Sequence, residues 1–535
     1  MRCWKIAVAV LPLLLVACAE PRPARSACPV EKRCLEYGNQ DEPASLDPHR
    51  ITGSAELRIV GDLFAGLTQP DAADAPIPGM ATSWETSQDG LVWRFQLRDA
   101  LWSDGVPVTA DDFVFSLQRA LDPAVASQFA PLLYFIVNAQ AVNTAELPAA
   151  ALGVRAIAKH TLEIALTHPV SYLLELAKHP IMMPVPRHVV MQWGDAWSQP
   201  AHLVSNGAYR IVSWRLGDRI QVRKNPVFWD AAQVCFDQIN YYPTTDSISA
   251  ERRVQRGELD LNADFQSNRA EYLRRKMPGY IRSSAYLSTT YLSFNLRYPP
   301  LRDRRVREAL AMAVDNAFIT SKLLRAGQTP AWSFVTPGTA SYAGSARTYW
   351  AQWPFVQRQE RARQLLAEAG YGPDRALTIE IKHRNQPDPI LYLGAVQADW
   401  RAIGVEVTLA QNETQVAYAA YQVGDFQVAD VGVTADFNDA ASFLHLLNSD
   451  SGAQNYGDYR NAAFDDLLSA AAREADVARR AQLLSDAEQI MLDDVAIIPV
   501  YFSVSRALVN PSITGWQSNL GARHPARYLC KTGHP

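Results

Sequence analysis

Between Leu91 and Arg98 the apolar residues Trp93, Phe95 and Leu97 alternate with Arg94, Gln96 and Arg98. A period of two marks a half-buried strand, and the turn residues Ser103-Asp104-Gly105 follow it. Thr109 and Asp112, three residues apart, form a capping box ahead of Phe113, Leu117 and Ala120, so a helix is predicted to open there. Two strand-like runs, Tyr209 to Val212 and Ile220 to Val222, flank Gly217-Asp218 and read as a hairpin. Asp303 stands where it can cap a helix whose Val306, Leu310, Ala313 and Val314 share one face. A further helix is predicted over Arg361 to Ala369, stopped by Gly370, because glycine accepts the left-handed backbone that ends helices. Helical spacing returns from Ala463 to Leu492, and Ile497 to Tyr501 reads as a strand. The pattern is mixed α/β, without a repeat of roughly 20 to 50 residues or a low-complexity tract.

A length of 535 residues exceeds what one core ordinarily serves, so two or three lobes are expected. The chain is 48% hydrophobic and 20% charged, a globular composition. Its 51 Lys and Arg against 55 Asp and Glu leave −4, which lacks the basic excess that neutralising nucleic-acid phosphates requires.

The amino terminus argues for export. Arg2 and Lys5 precede a 12-residue apolar stretch, Ile6 to Ala17, which is the charged and apolar make-up of a secretory signal and too short to span a bilayer. Leu15-Val16-Ala17-Cys18 resembles the bacterial lipoprotein box, which implies cleavage before Cys18 and acylation of that cysteine. Residues 1–17 are then the signal peptide and 18–28 a polar, proline-containing tether. The mature charge becomes −6, and Cys28, Cys34, Cys235 and Cys530 remain as partners for disulfides in an oxidising compartment. Their three possible pairings stay open.

Motifs for chemistry are missing. The chain has no GxxxxGK[ST] phosphate loop, GxSxG elbow or HExxH pair, and its ten histidines, His188 and His445 among them, lack ligand spacing. No cofactor and no metal are expected.

Three segments carry a resemblance: Pro78 to Glu85, Asp89 to Arg98, and Trp102 to Phe113. With Ser45-Leu46-Asp47-Pro48, Asn206-Gly207-Ala208-Tyr209 and Ala435-Asp436-Phe437-Asn438, they are similar to the family 5 solute-binding proteins of bacterial ABC importers, the oligopeptide binders above all. The resemblance implies an α/β, type II periplasmic-binding fold, with two main lobes, an inserted small domain and a ligand cleft between the lobes. The expected division is 29–64, 191–289 and 506–535 for the first lobe, 65–190 for the small domain and 290–505 for the second lobe. It further implies a monomer that hands peptides, or peptide-like solutes, to a membrane permease driven by a separate ATPase. The alternatives are the same fold with a sugar, metal chelate or polyamine, a ligand-presenting subunit of a sensor, or an extracytoplasmic hydrolase.

Carried over position by position, the resemblance puts main-chain ligand contacts at Thr52, Gly53 and Ser54, and at Gly432, Val433 and Thr434. Asp436 falls on the aspartate that receives a peptide's α-ammonium; its other reading is a cap for the helix that follows. Departures accompany the matches. Tyr421 and Asp430 stand where relatives carry arginines for ligand carboxylates, Ser288 and Thr434 replace a pair of bridged cysteines, and Val433 replaces an aromatic platform. With Asp436, Asp430 and Asp264 near the cleft, a negative potential and a preference for cationic peptides are expected.

Overall fold

The computed structural model describes residue 28 and residues 32–342 and 344–532. The signal sequence, Cys18 and the tether up to Cys28 lie outside these. An 11-stranded sheet runs through the whole molecule. From one edge it contains Val405–Asn412, Leu377–Arg384, Val428–Thr434, Ile281–Phe294 and Ile497–Val509. It continues through Leu261–Asn262, Cys34–Gly38, Gln238–Tyr242, Arg219–Lys224 and Tyr209–Arg215, and the eleventh strand, Thr329–Pro330, pairs with Ile497–Val509 off this path.

Two cores sit on the two faces of the second-lobe half, and the strands feed them alternately. Leu292, Val428 and Ile498 enter a core with Ile379, Tyr392 and Trp400, while Tyr291, Ala429 and Ile497 enter one with Phe334, Phe443 and Met491. Successive side chains point to opposite faces, so strands covered on both sides read as continuous apolar runs. The first lobe has one large core. It joins Leu35, Ile239 and Leu261 to Phe95, Phe113 and Leu162, so the four-stranded sheet of Ala81–Thr86, Val92–Leu97, Thr161–Ala165 and Val154–Ala158 shares that core.

Among the described residues, only Ile281–Phe294 and Ile497–Val509 run as continuous strands through both lobes. The first half of one pairs with the last half of the other on the first-lobe side, and the ladder is interrupted between Ala285 and Thr289 before it resumes in the second lobe. Such an interruption bends a ribbon locally.

Most predicted elements are present. Val92–Leu97 buries Phe95 and Leu97, the hairpin pairs Tyr209 with Lys224, and Asp303 caps Arg304–Met312 by accepting from the Arg305 N–H. Others differ. The helix ahead of Gly370 begins at Phe355, just after Pro354. The 463–492 segment is two helices, Ala462–Arg473 and Val477–Asp493, the second capped by Asp476. The strand at Ile497 continues to Val509, past the polar residues Ser503 and Ser505 that face the lobe junction.

Helix Ala110–Ala120 opens at Thr109, whose N–H donates to Asp112 Oδ2 at 2.8 Å. Replacing Asp112 with Ala, which removes this acceptor, is expected to cost about 1 kcal/mol, as urea unfolding will measure.

Cysteine pairing is resolved as Cys28–Cys34 and Cys235–Cys530. The second bridge spans 295 residues and ties the end of the chain to the first lobe; a cross-link over so long a loop restricts the unfolded chain strongly.

Candidate functional site

A cleft of about 530 Å³ lies between the lobes. Its floor is the two long strands, which contribute Ser288, Thr290, Tyr501, Ser503 and Arg506. The first-lobe wall follows from Cys34–Gly38, Gln238–Tyr242 and Leu261–Asn262, which run parallel. Their carboxyl ends deliver Gln40 and Asp41, Thr244 to Ser247, and Asn262 and Asp264. On the other side the parallel strands Leu377–Arg384 and Val428–Thr434 end in Arg384 and in Gly432 and Thr434. Ligand crevices of open α/β sheets form outside the carboxyl ends of parallel strands, where side chains diverge and loops leave room.

The wall charges are organised around two arginines. Asp430 is fully buried. It accepts from Arg384 Nε at 2.8 Å, from Arg384 Nη2 at 3.1 Å and from the Tyr392 hydroxyl at 2.5 Å. Burial acts to lower the Arg384 guanidinium, but the facing Asp430 overrides it and holds the group well above its ordinary value. Gly432 makes room for this arginine, since a Cβ there would sit 3.1 Å from Nη1. Asp264 accepts from Arg506 Nε at 2.9 Å; burial still raises its carboxyl, against the pull of Arg506.

These pairs bear on the expected negative potential. Asp430 is matched by Arg384, because a carboxylate removed from water without a partner is costly, whereas Asp264 shares Arg506 with Asp388, and Asp41 and Asp246 also line the cleft. The ground for a cationic preference at Asp430 is gone. Tyr421 lies in the second-lobe core, fully buried, its hydroxyl donating to the Lys382 carbonyl at 3.1 Å.

Thr52, Gly53 and Ser54 form the entry to helix Ser54–Leu63 and not a strand. The N–H groups of Thr52 and Gly53 donate to Glu56 Oε2 at 3.1 and 2.6 Å, so both are already engaged. Gly432, Val433 and Thr434 pair in register with Thr290, Thr289 and Ser288. On the other edge of that strand, pairing with Leu377–Arg384 ends at Ala429; beyond it no further strand pairs among the described residues, although the Gly432 carbonyl accepts from the Tyr418 hydroxyl at 3.2 Å. Ser288 and Thr434 stand opposite each other and both reach the cleft.

Asp436 is half-buried, just past the end of that strand. Its N–H donates to Ser442 Oγ at 2.9 Å, and its carbonyl accepts from Arg523 Nη2 at 3.2 Å. Its carboxylate has no hydrogen-bond partner among the described residues. Burial pushes it up to about 6, while Arg523 acts to lower it. It accepts no N–H of the following helix; Asp439 does, from the Ala441 N–H at 2.9 Å. The next residue, Phe437, enters the large core that the first lobe shares with the four-stranded sheet, its ring stacked on Tyr172 at 4.6 Å.

Two cleft walls, a strand edge without a further strand partner and a carboxylate without a hydrogen-bond partner among the described residues describe a receptor for a small extended solute. Residues 75–455 match the family described as bacterial extracellular solute-binding proteins, family 5. The chain belongs to this family. Over 491 residues it is 38% identical to the periplasmic oligopeptide-binding protein OppA of Salmonella typhimurium, covering 91% of this chain and 90% of that one. It is 34% identical to the probable deoxycholate-binding periplasmic protein YgiS of Escherichia coli, covering 91% of each. The murein tripeptide binding protein MppA of Escherichia coli has the same fold, with a TM-score of 0.85 and 32% identity, covering 94% of this chain and 99% of that one. This solute-binding protein therefore has the type II, two-lobed α/β architecture and works outside the cytoplasm.

Arg384, Tyr392, Arg506 and Asp388, which also lines the cleft, were not singled out by sequence. Arg384 ends the alternating run Leu377, Ile379, Ile381, which marks a strand end. That it meets Asp430, 46 residues later, follows only from which strands are neighbours.

Proposed function

We propose that this protein captures short peptides in the interlobe cleft, holding the α-ammonium at Asp436 and the extended backbone along the edge at Gly432 to Thr434. The observation that carries this is the half-buried carboxylate of Asp436, without a hydrogen-bond partner among the described residues and just past a strand that pairs with no other on that edge beyond Ala429. Backbone bonding to an edge serves every peptide sequence, leaving selectivity to the walls. Of the five N–H bonds of Arg384, Asp430 takes two and Tyr418 one at 3.4 Å. The remaining two offer a partner for a ligand carboxylate. The walls carry hydroxyl, amide and charged groups in the main, which favours a hydrophilic ligand over a bile acid.

In this reading the protein is a monomer that delivers peptide to a cognate permease and ATPase and catalyses nothing itself. It is divided into 29–64, 191–289 and 506–535 for the first lobe, 65–190 for the small domain and 290–505 for the second. Cys18 carries the lipid that tethers it; a Cys18→Ser variant will leave the membrane fraction, because stable anchoring needs more than one acyl chain.

Calorimetric titration of tri- and tetrapeptides with free and with acetylated N-termini tests the capture mode. Free peptides are expected to bind and their acetylated counterparts to lose most of the affinity. Equal binding of both sets would remove Asp436 from the site.

A further inference from the structure

Where the lobes meet beside the long strands, one aspartate of the second lobe is held by groups of the first. Asp388 is the second residue of helix Pro387–Ala402, whose Tyr392, Leu393, Val396 and Trp400 are fixed in a second-lobe core. Its Oδ2 accepts from Arg506 Nη1 at 2.9 Å and from the Ser267 hydroxyl at 2.8 Å. Arg506 lies on the first-lobe stretch of its strand, opposite Ser283, and is also bonded to Asp264. Ser267, fully buried, accepts in addition from Arg506 and from Gln328 Nε2, the latter at 2.7 Å. The Ser267 hydroxyl thus uses its single donor and both acceptor positions.

Opening the lobes about the long strands moves Asp388 with its helix, away from Arg506 and Ser267. Buried Ser267 and half-buried Arg506 then each lose a charge-assisted partner where screening is weaker than at the surface. Closing restores them without any contribution from a ligand.

We infer that Asp388, with Arg506 and Ser267, is an interlobe latch that sets the balance between open and closed forms and so scales the affinity for every ligand alike. Asp388 is a positioning residue in this scheme, acting on ligand through closure. The inference rests on the peptide-capture reading only for the choice of ligands.

Two readouts test it. Spin labels at Leu216 and Val423, both strongly exposed and one on each lobe, report the interlobe distance in peptide-free protein. Asp388→Ala is expected to shift that distribution to longer distances. Affinity should fall by about three- to ten-fold, as for a modest population shift, and by the same factor for peptides differing only in Lys, Gln or Glu. Ser267→Ala should act in the same direction more weakly. An unchanged distance distribution, or a loss that follows the ligand's charge, would overturn the latch. Absence of peptide binding by the wild type would overturn the capture reading instead, leaving the label distances to decide the latch.

Discussion

Asp436→Asn is expected to weaken binding of peptides with a free N-terminus on the order of 30-fold or more. The substitution keeps size and removes charge, so a bound ammonium would stand in a half-buried position without its counter-ion, at a cost of about 2 to 5 kcal/mol. At 1.4 kcal/mol per tenfold, the lower end corresponds to that factor. The pH dependence has a definite sign. Burial holds the Asp436 carboxyl up at about 6, above its ordinary 3.8. The folded protein therefore keeps this proton more tightly than the unfolded chain does. The resulting stabilisation is complete below the unfolded value and is lost as pH rises through about 6. An ammonium ligand needs the ionised form, so peptide affinity should fall as pH drops through about 6. Binding at pH 5.5 should release protons, measured by calorimetry in buffers of different ionisation heat. The Asn variant should show neither effect, and a wild type whose binding releases no proton at pH 5.5 would count against Asp436 as the anchor.

The second large effect is on stability. Asp430→Ala removes the partner of a buried guanidinium and of the Tyr392 hydroxyl together, and is expected to destabilise the second lobe by about 3 to 5 kcal/mol. Replacing both members with apolar residues, Asp430→Leu with Arg384→Met, should recover most of that loss, since the desolvation penalty disappears with the charges. Urea unfolding of the single and double variants decides between this and a surface ion pair, which would contribute under about 1 kcal/mol. The double variant should fold and yet lose selectivity for ligand carboxylates.

Local structure was readable where a pattern is confined to neighbours along the chain. The alternation at Trp93, Phe95 and Leu97, the box at Thr109 and Asp112, and the cap at Asp303 each depend on residues a few positions apart. The errors came where a local rule has competitors. Helical spacing from Ala463 to Leu492 hid the break at Glu474 to Asp476, because an aspartate cap is legible only once the preceding helix is known to have ended. The strand from Ile497 was cut short at Tyr501, because its later part is half-buried and polar, where it lines the lobe junction.

The carboxylate positions show the same division. The resemblance placed Asp436, Asp430 and Asp264 near a cleft. It could not show that Asp430 and Asp264 are paired, because their partners Arg384 and Arg506 lie 46 and 242 residues away in the chain. By itself, the sequence determined the mixed α/β character, the signal-like amino terminus and the helix starts at Ala110 and Arg304, which are written in short-range patterns, and its contiguous motifs carried the resemblance that implied the family and the type II fold. Only the tertiary structure decided which acids are neutralised, which cysteines pair and what holds the lobes together. Coulomb and hydrogen-bond energies depend on separations of a few ångströms between groups that sheet order, and not chain order, makes neighbours.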